Sequence, residues 1–147
     1  MVNQEPQVGY MLKQAQSLLR LRMEQALEPL NLTVSHYSCL HHLRQTPGVS
    51  AAALARAIFV TRQSMGAILQ QLLDRGLVER PAVAEGGRAL PTTLTSAGDQ
   101  LLDDAEVAAD QVEQRMLSLL DATERVALDR GLLACVTALA DRVEPAA

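Results

Sequence analysis

Residues 61–76 constrain the fold of this chain more than any other stretch. Their apolar side chains recur at the three- and four-residue steps that place them on one face of an α-helix. These side chains are Met65, Ile68, Leu69 and Leu72. Gly76 follows the last of them and is suited to end a helix in the left-handed conformation. The stretch predicts an amphipathic helix whose apolar stripe is buried against other helices.

The opposite face of this helix is polar but almost uncharged, whereas an ordinary surface helix carries Glu and Lys. Together with Thr61, which precedes the helix, this face comprises Arg62, Gln63, Ser64, Gly66, Ala67 and Gln70. Small residues allow close approach to another surface, and Gln and Arg can pair bidentately with adenine and guanine in a major groove. This face predicts contact with base edges, and plain solvated surface is the alternative.

A second, shorter helix is predicted just upstream. Ser50 is placed to cap residues 51–58, and Leu54 faces inward. Residues 59–61 then interrupt the helix, and Thr61 can cap the next one. Ala55 is small where the two helices must cross. Two helices joined by so short a turn predict a helix-turn-helix, whose second helix enters the groove.

A β-hairpin is predicted downstream of the second helix. Residues 77–80 alternate as a strand does, and residues 81–90 contain Pro81, Gly86, Gly87 and the basic Arg88 before the chain turns apolar again. A hairpin beside a helix-turn-helix is a wing, and an Arg at its tip is favoured by the negative potential of a minor groove. A plain surface hairpin is the alternative for this segment alone.

This order of elements resembles the MarR family of bacterial transcription regulators. The resemblance is carried by the helix-turn-helix that ends in Gly76-Leu77-Val78-Glu79-Arg80, the tip Arg88, and Leu94-Thr95-Ser96-Ala97-Gly98 opening a long helix. It implies a mainly α fold with a small β-hairpin wing, in a single domain over residues 1–147. The winged helix-turn-helix would span 33–95, and the N- and C-terminal helices, 8–30 and 96–144, would form a helical dimerisation region.

The resemblance also implies a function. A homodimeric repressor would bind double-stranded DNA with an inverted repeat, whose half-sites lie about one helical turn apart, and a small ligand would release it. Ligands in the family often bind between the first, second and fifth helices, so Tyr10, Tyr37 and His41 are the candidate pocket residues. Such side chains suit an apolar or phenolic compound.

Two positions depart from the family pattern. Gly86 stands where the wing commonly carries an Asp two residues before the tip Arg, and Ala67 stands where many recognition helices carry an Arg. Both changes remove polar anchoring. They motivate an alternative, a helical partner-binding homologue in which DNA binding is weakened or lost.

The charge is unevenly distributed along the chain, whose net charge is −4. Residues 50–95 contain five basic and three acidic groups, whereas residues 96–147 contain four and eleven. The predicted reading part is therefore mildly basic, and the acidic run of the long helix is expected to be a solvated face. So slight a positive charge predicts modest affinity per subunit, because phosphate neutralisation supplies most of non-specific binding.

Two cysteines and three histidines invite other interpretations. A second alternative function is a cysteine-based redox-sensing regulator using Cys39, but a reactive thiol needs a cation or helix N-terminus, and Cys39 lies well inside its helix. Buried, inert thiols are expected for both Cys39 and Cys135. His36 and Cys39 have the spacing of metal ligands on a helix, yet partly solvated histidines are favoured and no metal site is predicted.

Other classes of protein find little support in the sequence. It has no Ser-His-Asp or Cys-His motif, no Gly-rich phosphate loop and no paired carboxylates at an apolar strand end, so neither an enzyme nor a cofactor is predicted. No apolar run approaches the roughly 20 residues of a membrane span, and no signal peptide is evident. A cytoplasmic protein is expected.

The contacts assigned to the helix and the wing predict different mutational effects. Arg88→Ala should weaken binding to every DNA sequence, because a wing Arg meets the minor groove or the backbone. Gln63→Ala should mainly relax sequence preference, because Gln reads base edges. Gel shifts with specific and scrambled duplexes test both, and the assignment is wrong if neither substitution alters binding.

Overall fold

The computed structural model describes residues 7–80 and 91–140, and its described elements are mostly helical. In chain order they are α1 (Val8–Leu27), a short 3-10 helix (Glu28–Leu30), α2 (Val34–Gln45), α3 (Ala51–Ala57), α4 (Arg62–Asp74), β1 (Val78–Glu79), β2 (Thr93–Leu94), α5 (Ser96–Met116) and α6 (Ala122–Ala140). Strands β1 and β2 are antiparallel, with Val78 opposite Leu94. The predicted mainly α fold with a small hairpin is confirmed, while the predicted tip residues Gly86 and Arg88 lie outside the described residues.

Side-chain caps fix where the helices begin. The capping residues of α2 to α6 are Thr33, Ser50, Thr61, Thr95 and Asp121. Thr33 and Asp121 each belong to a reciprocal capping box, in which the residue three positions on, His36 or Glu124, bonds back to the backbone N–H of the cap. The caps predicted at Ser50 and Thr61 are confirmed.

The first helix ends earlier than its apolar period suggests. Helical spacing of apolar residues continues to Leu30, but α1 ends at Leu27 and a 3-10 turn follows. Pro29 has no N–H to donate, so α-helical bonding cannot continue through it. Asn31 then adopts the left-handed conformation, with φ of 53°, and reverses the chain.

The chain divides into two compact units, Met1–Val112 and Glu113–Ala147. The core of the first is built from fully buried side chains of α1 to α5: Leu27, Leu40, Leu43, Leu54, Met65, Leu69, Leu72 and Leu102. Burying each leucine contributes roughly 1.5–3 kcal/mol. All four stripe residues predicted for the α4 helix are buried, as is Ala55 at the helix crossing, so these predictions are confirmed.

The second unit contains the end of α5 and all of α6. Arg125 donates to the carbonyl oxygens of Leu117 and Leu120, at 3.1 and 3.3 Å, which holds the turn between the helices. The side chains of α6 are almost all exposed within the chain. Over residues 7–80 and 91–140, none of the helices has the combined length and apolar character that a bilayer crossing requires. The predicted boundaries at 8–30, 33–95 and 96–144 stay a prediction.

A close backbone approach holds α5 against the end of α4. Thr95 donates from its backbone N–H to the Leu77 carbonyl at 3.1 Å and from its hydroxyl to the Gly76 carbonyl at 2.6 Å. Gly98 lies one turn further on, and a Cβ there would overlap the Leu77 carbonyl oxygen. Only glycine permits this packing of α5 on the strand entry.

Gly98→Ala is expected to lower the free energy of unfolding by roughly 1–3 kcal/mol or more, because the overlap is with backbone that cannot rotate away. Gly66→Ala is the matched control, since nothing lies within 4 Å of a Cβ at that helical position. It should raise stability by up to about 1 kcal/mol through helix propensity. Urea denaturation of both variants measures this, and similar stabilities for the two would contradict the close approach.

Candidate nucleic-acid interface

The α4 helix presents a polar face to solvent beside its buried stripe. The exposed residues are Thr61, Arg62, Gln63, Ser64, Gly66, Ala67 and Gln70, the complete set predicted for this face. The buried stripe on the other side fixes which way the helix faces, so these side chains share one surface. The structure brings them together as a group, and their contact with nucleic acid stays a prediction.

The first turn of α4 is the part best prepared to meet an anion. Thr61 accepts the Ser64 backbone N–H and donates to the Ser64 hydroxyl, both at 3.0 Å, so these two side chains are fixed by the cap. Arg62 and Gln63 follow directly, at the positive end of the helix dipole. Arg62 and Gln63 thus lie at the end of the helix whose free backbone N–H groups favour anions.

Gln70 is engaged differently from Gln63. Its amide nitrogen donates to Asp74 Oδ1 at 2.8 Å, within the same helix. A bidentate contact with adenine needs both the amide N–H and the carbonyl oxygen. Gln70 must therefore release Asp74 before it can read a base in that way.

A histidine bridge joins α4 to α2 behind this face. His36 is 9% exposed; its Nε2 lies 2.7 Å from Gln71 Oε1, and its Nδ1 accepts the Thr33 backbone N–H at 3.2 Å. Because Nδ1 accepts, Nε2 carries the proton and donates to Gln71. His36 is thus a buried structural residue, which corrects the expectation of a partly solvated histidine. The sequence signal for this structural role is Thr33 at a cap position, followed by a histidine three residues later.

An arginine-centred ion-pair network joins α2 to α5. Arg44 contacts Asp99 at 2.9 Å, Asp103 at 2.8 Å and Glu106 at 3.1 Å. His41 Nδ1 also lies 3.1 Å from Glu106. The acidic run of α5 is a solvated face, as expected, and three of its carboxylates also pair with Arg44 of α2. The network restrains α5 relative to the helix-turn-helix through contacts that the sequence pattern did not indicate.

The predicted ligand-pocket residues are only partly grouped. The rings of Tyr37 and His41 lie 6.0 Å apart, whereas Tyr10 is 65% exposed in the first turn of α1. A cavity of about 470 Å³ lies elsewhere, at the α1–α2 junction. Its lining comprises Leu21, Glu24, Gln25, Glu28, Asn31, Leu32, Thr33 and His36. The pocket of Tyr10, Tyr37 and His41 stays a prediction.

The two cysteines lie in different environments. Cys39 is fully buried, and burial raises the pKa of its thiol to about 12. A thiol held in its protonated form is a poor nucleophile. Cys135 is exposed on α6, so the expectation that both thiols are buried is wrong for this one. Within the described part of the chain, no cluster of three or more His, Cys, Asp or Glu side chains is arranged to hold a metal.

A helix-turn-helix on a buried scaffold, followed by an antiparallel hairpin, defines the winged helix-turn-helix class of proteins. A MarR family model matches residues 30–89. The HTH-type transcriptional repressor Rv2887 of Mycobacterium tuberculosis is 42% identical over 118 residues, which are 80% of this chain and 85% of that protein. This chain belongs to the MarR family.

Solved structures agree with this assignment. The M. tuberculosis MarR family protein Rv2887 in complex with DNA matches with a TM-score of 0.77 and 37% identity, over 89% of this chain and 98% of that one. Its complex with salicylic acid matches with a TM-score of 0.75 and 38% identity, over 91% and 99%. Apo MarR from E. coli shows the same fold. It matches with a TM-score of 0.77 and 19% identity, over 90% of this chain and 98% of that one.

Removing the histidine bridge should destabilise the protein. His36→Ala loses both the α2 cap partner and the bond to Gln71, and should cost roughly 1–3 kcal/mol of the free energy of unfolding. Gln71→Ala removes only the hydrogen bond from α4 to His36, at an exposed position where water can replace the amide, and should cost about 1 kcal/mol or less. Urea denaturation compares them, and equal losses would contradict the double role of His36.

Cys39 should resist thiol reagents in the folded protein. Its raised pKa means that its stabilising contribution is present below about pH 9, the ordinary value, and is lost as the pH rises towards 12. After iodoacetamide treatment at pH 8, mass spectrometry should find Cys39 unmodified until the protein is unfolded in urea. Rapid modification of folded wild type would favour the redox-sensing alternative.

Proposed function

We propose that this protein is a sequence-specific transcription repressor that binds double-stranded DNA as a homodimer and releases it when a small ligand binds. The observation that carries the proposal is the exposed polar face of α4, set on a buried helix-turn-helix in a chain 37% identical to a relative solved in complex with DNA. Thr61, Arg62, Gln63 and Gln70 would enter the major groove, and Arg88 would lie near a minor groove.

A homodimer would compensate for the low positive charge of residues 50–95 and would cover the exposed apolar side chains of α6. Residues 50–95 carry only two excess positive charges, which supports modest affinity of one subunit for DNA. Two subunits bound to an inverted repeat are therefore needed. Six apolar residues of α6, between 39% and 77% exposed, are Val126, Leu128, Leu132, Leu133, Val136 and Leu139. So much exposed apolar surface on one helix is typical of an interface. Burial of this helix against a second copy supports the homodimer.

The ligand proposed is a small phenolic or aromatic carboxylate compound, because one relative, Rv2887, was solved with salicylic acid and with p-aminosalicylic acid. The cavity at the α1–α2 junction suits such an anion poorly, since Glu24 and Glu28 line it. The candidate contacts stay Tyr10, Tyr37 and His41. The ligand would act by binding more tightly to the dimer at one distance between its two α4 helices than at another.

The same proposal places the protein in the cytoplasm and assigns it no enzymatic activity. The MarR family is a family of transcription regulators and not an enzyme class. A regulator acts where the DNA lies, which supports the cytoplasmic location. Neither statement depends on the identity of the ligand or of the regulated genes.

Fluorescence anisotropy with the duplex upstream of the protein's own gene tests this function. Two subunits per site, preference over scrambled DNA and a steep fall of affinity with salt are expected. Arg62→Ala should reduce the salt slope by about 1, and salicylate should release the DNA. Weak binding to every duplex would instead support the partner-binding homologue, and release by peroxide but not salicylate would support redox sensing.

A further inference from the structure

The turn between α3 and α4 contains a phenylalanine that neither packing nor backbone geometry accounts for. Phe59 is the only phenylalanine of the chain, and 94% of it is exposed. Its φ is 58°, in the left-handed region that side chains other than glycine and asparagine rarely adopt. The sequence indicated only that this residue interrupts a helix.

The turn needs the left-handed backbone but not the ring. Backbone bonds close it: Phe59 N–H donates to the Arg56 carbonyl at 3.3 Å, and Val60 N–H donates to the Ala55 carbonyl at 3.0 Å. A glycine would adopt the same backbone without strain. The chain thus holds a large apolar ring in water, on strained backbone. An observed backbone outlier of this kind supports a hypothesis of function at the residue that carries it.

The position of Phe59 indicates what the ring meets. It lies two residues before Thr61, the cap of α4, and so at the same end of that helix as Arg62 and Gln63. In a helix-turn-helix, the start of the second helix meets the base edges. Aromatic side chains contact the apolar parts of DNA there, above all the thymine methyl.

We propose that Phe59 is a DNA-contacting residue whose ring packs against thymine methyl and deoxyribose groups at the edge of the major groove. This inference rests on the proposed DNA-binding function and adds an apolar contact to its polar face. Because the contact involves no charge, it contributes affinity without releasing counterions.

Phe59→Gly tests the inference, with Asn31→Gly as the matched control. Asn31 is the other described non-glycine residue with positive φ, at 53°, and it lies in the α1–α2 connection. Both variants place glycine at a position of positive φ and so remove backbone strain. Neither should therefore lower the thermal midpoint. In the anisotropy assay with the duplex upstream of the protein's own gene, Phe59→Gly should weaken binding roughly fivefold or more at an unchanged salt slope. Asn31→Gly leaves Phe59 in place, and Phe59→Tyr retains an aromatic ring. Both variants should therefore bind the duplex like wild type.

The outcomes separate this inference from the function on which it rests. Wild type that binds no duplex specifically would overturn both. Specific wild-type binding that Phe59→Gly leaves unchanged would overturn the inference alone. Weakened binding accompanied by a lower thermal midpoint or a lost dimer would also overturn it, because Phe59 would then act through the fold or a subunit contact.

Discussion

The burial of one side of α4 is the interaction on which the rest of this structure depends. Met65, Leu69 and Leu72 are inaccessible to solvent in the core of the first unit. Rotating the helix by even a third of a turn would expose these side chains and bury Gln63 and Gln70 without partners, at a cost of several kcal/mol. The same packing that stabilises the unit therefore determines which residues of α4 face solvent.

Polar contacts on both sides of α4 then set its position relative to its neighbours. The His36 bridge restrains α4 against α2, and the contact of Gly98 with the Leu77 carbonyl restrains α5 where α4 ends. Arg44 pairs with carboxylates of α5 and so joins α2 to α5. These contacts connect α5 to α4 by two routes, one through α2 and one through the strand entry.

Local signals made most of the fold predictable. Caps such as Ser50 and Thr61, and the stripe of α4, depend on residues within one or two helical turns, so the sequence alone indicates them. Contacts between distant segments were missed, because Gln71 and Glu106 look like ordinary surface residues until the fold brings them to His36 and Arg44. The exposed face of α4 was predicted as a group, whereas the left-handed Phe59 depends on turn geometry that no residue type there specifies.

The central claim is that two α4 helices lie in successive major grooves of one DNA site. Dimethyl sulfate protection of the duplex upstream of the protein's own gene measures this directly, because the reagent methylates guanine N7 in the major groove. The account predicts two protected patches, related by the symmetry of the site and centred about one helical turn apart. Specific binding with one patch only, or with guanine N7 fully reactive throughout, would contradict it.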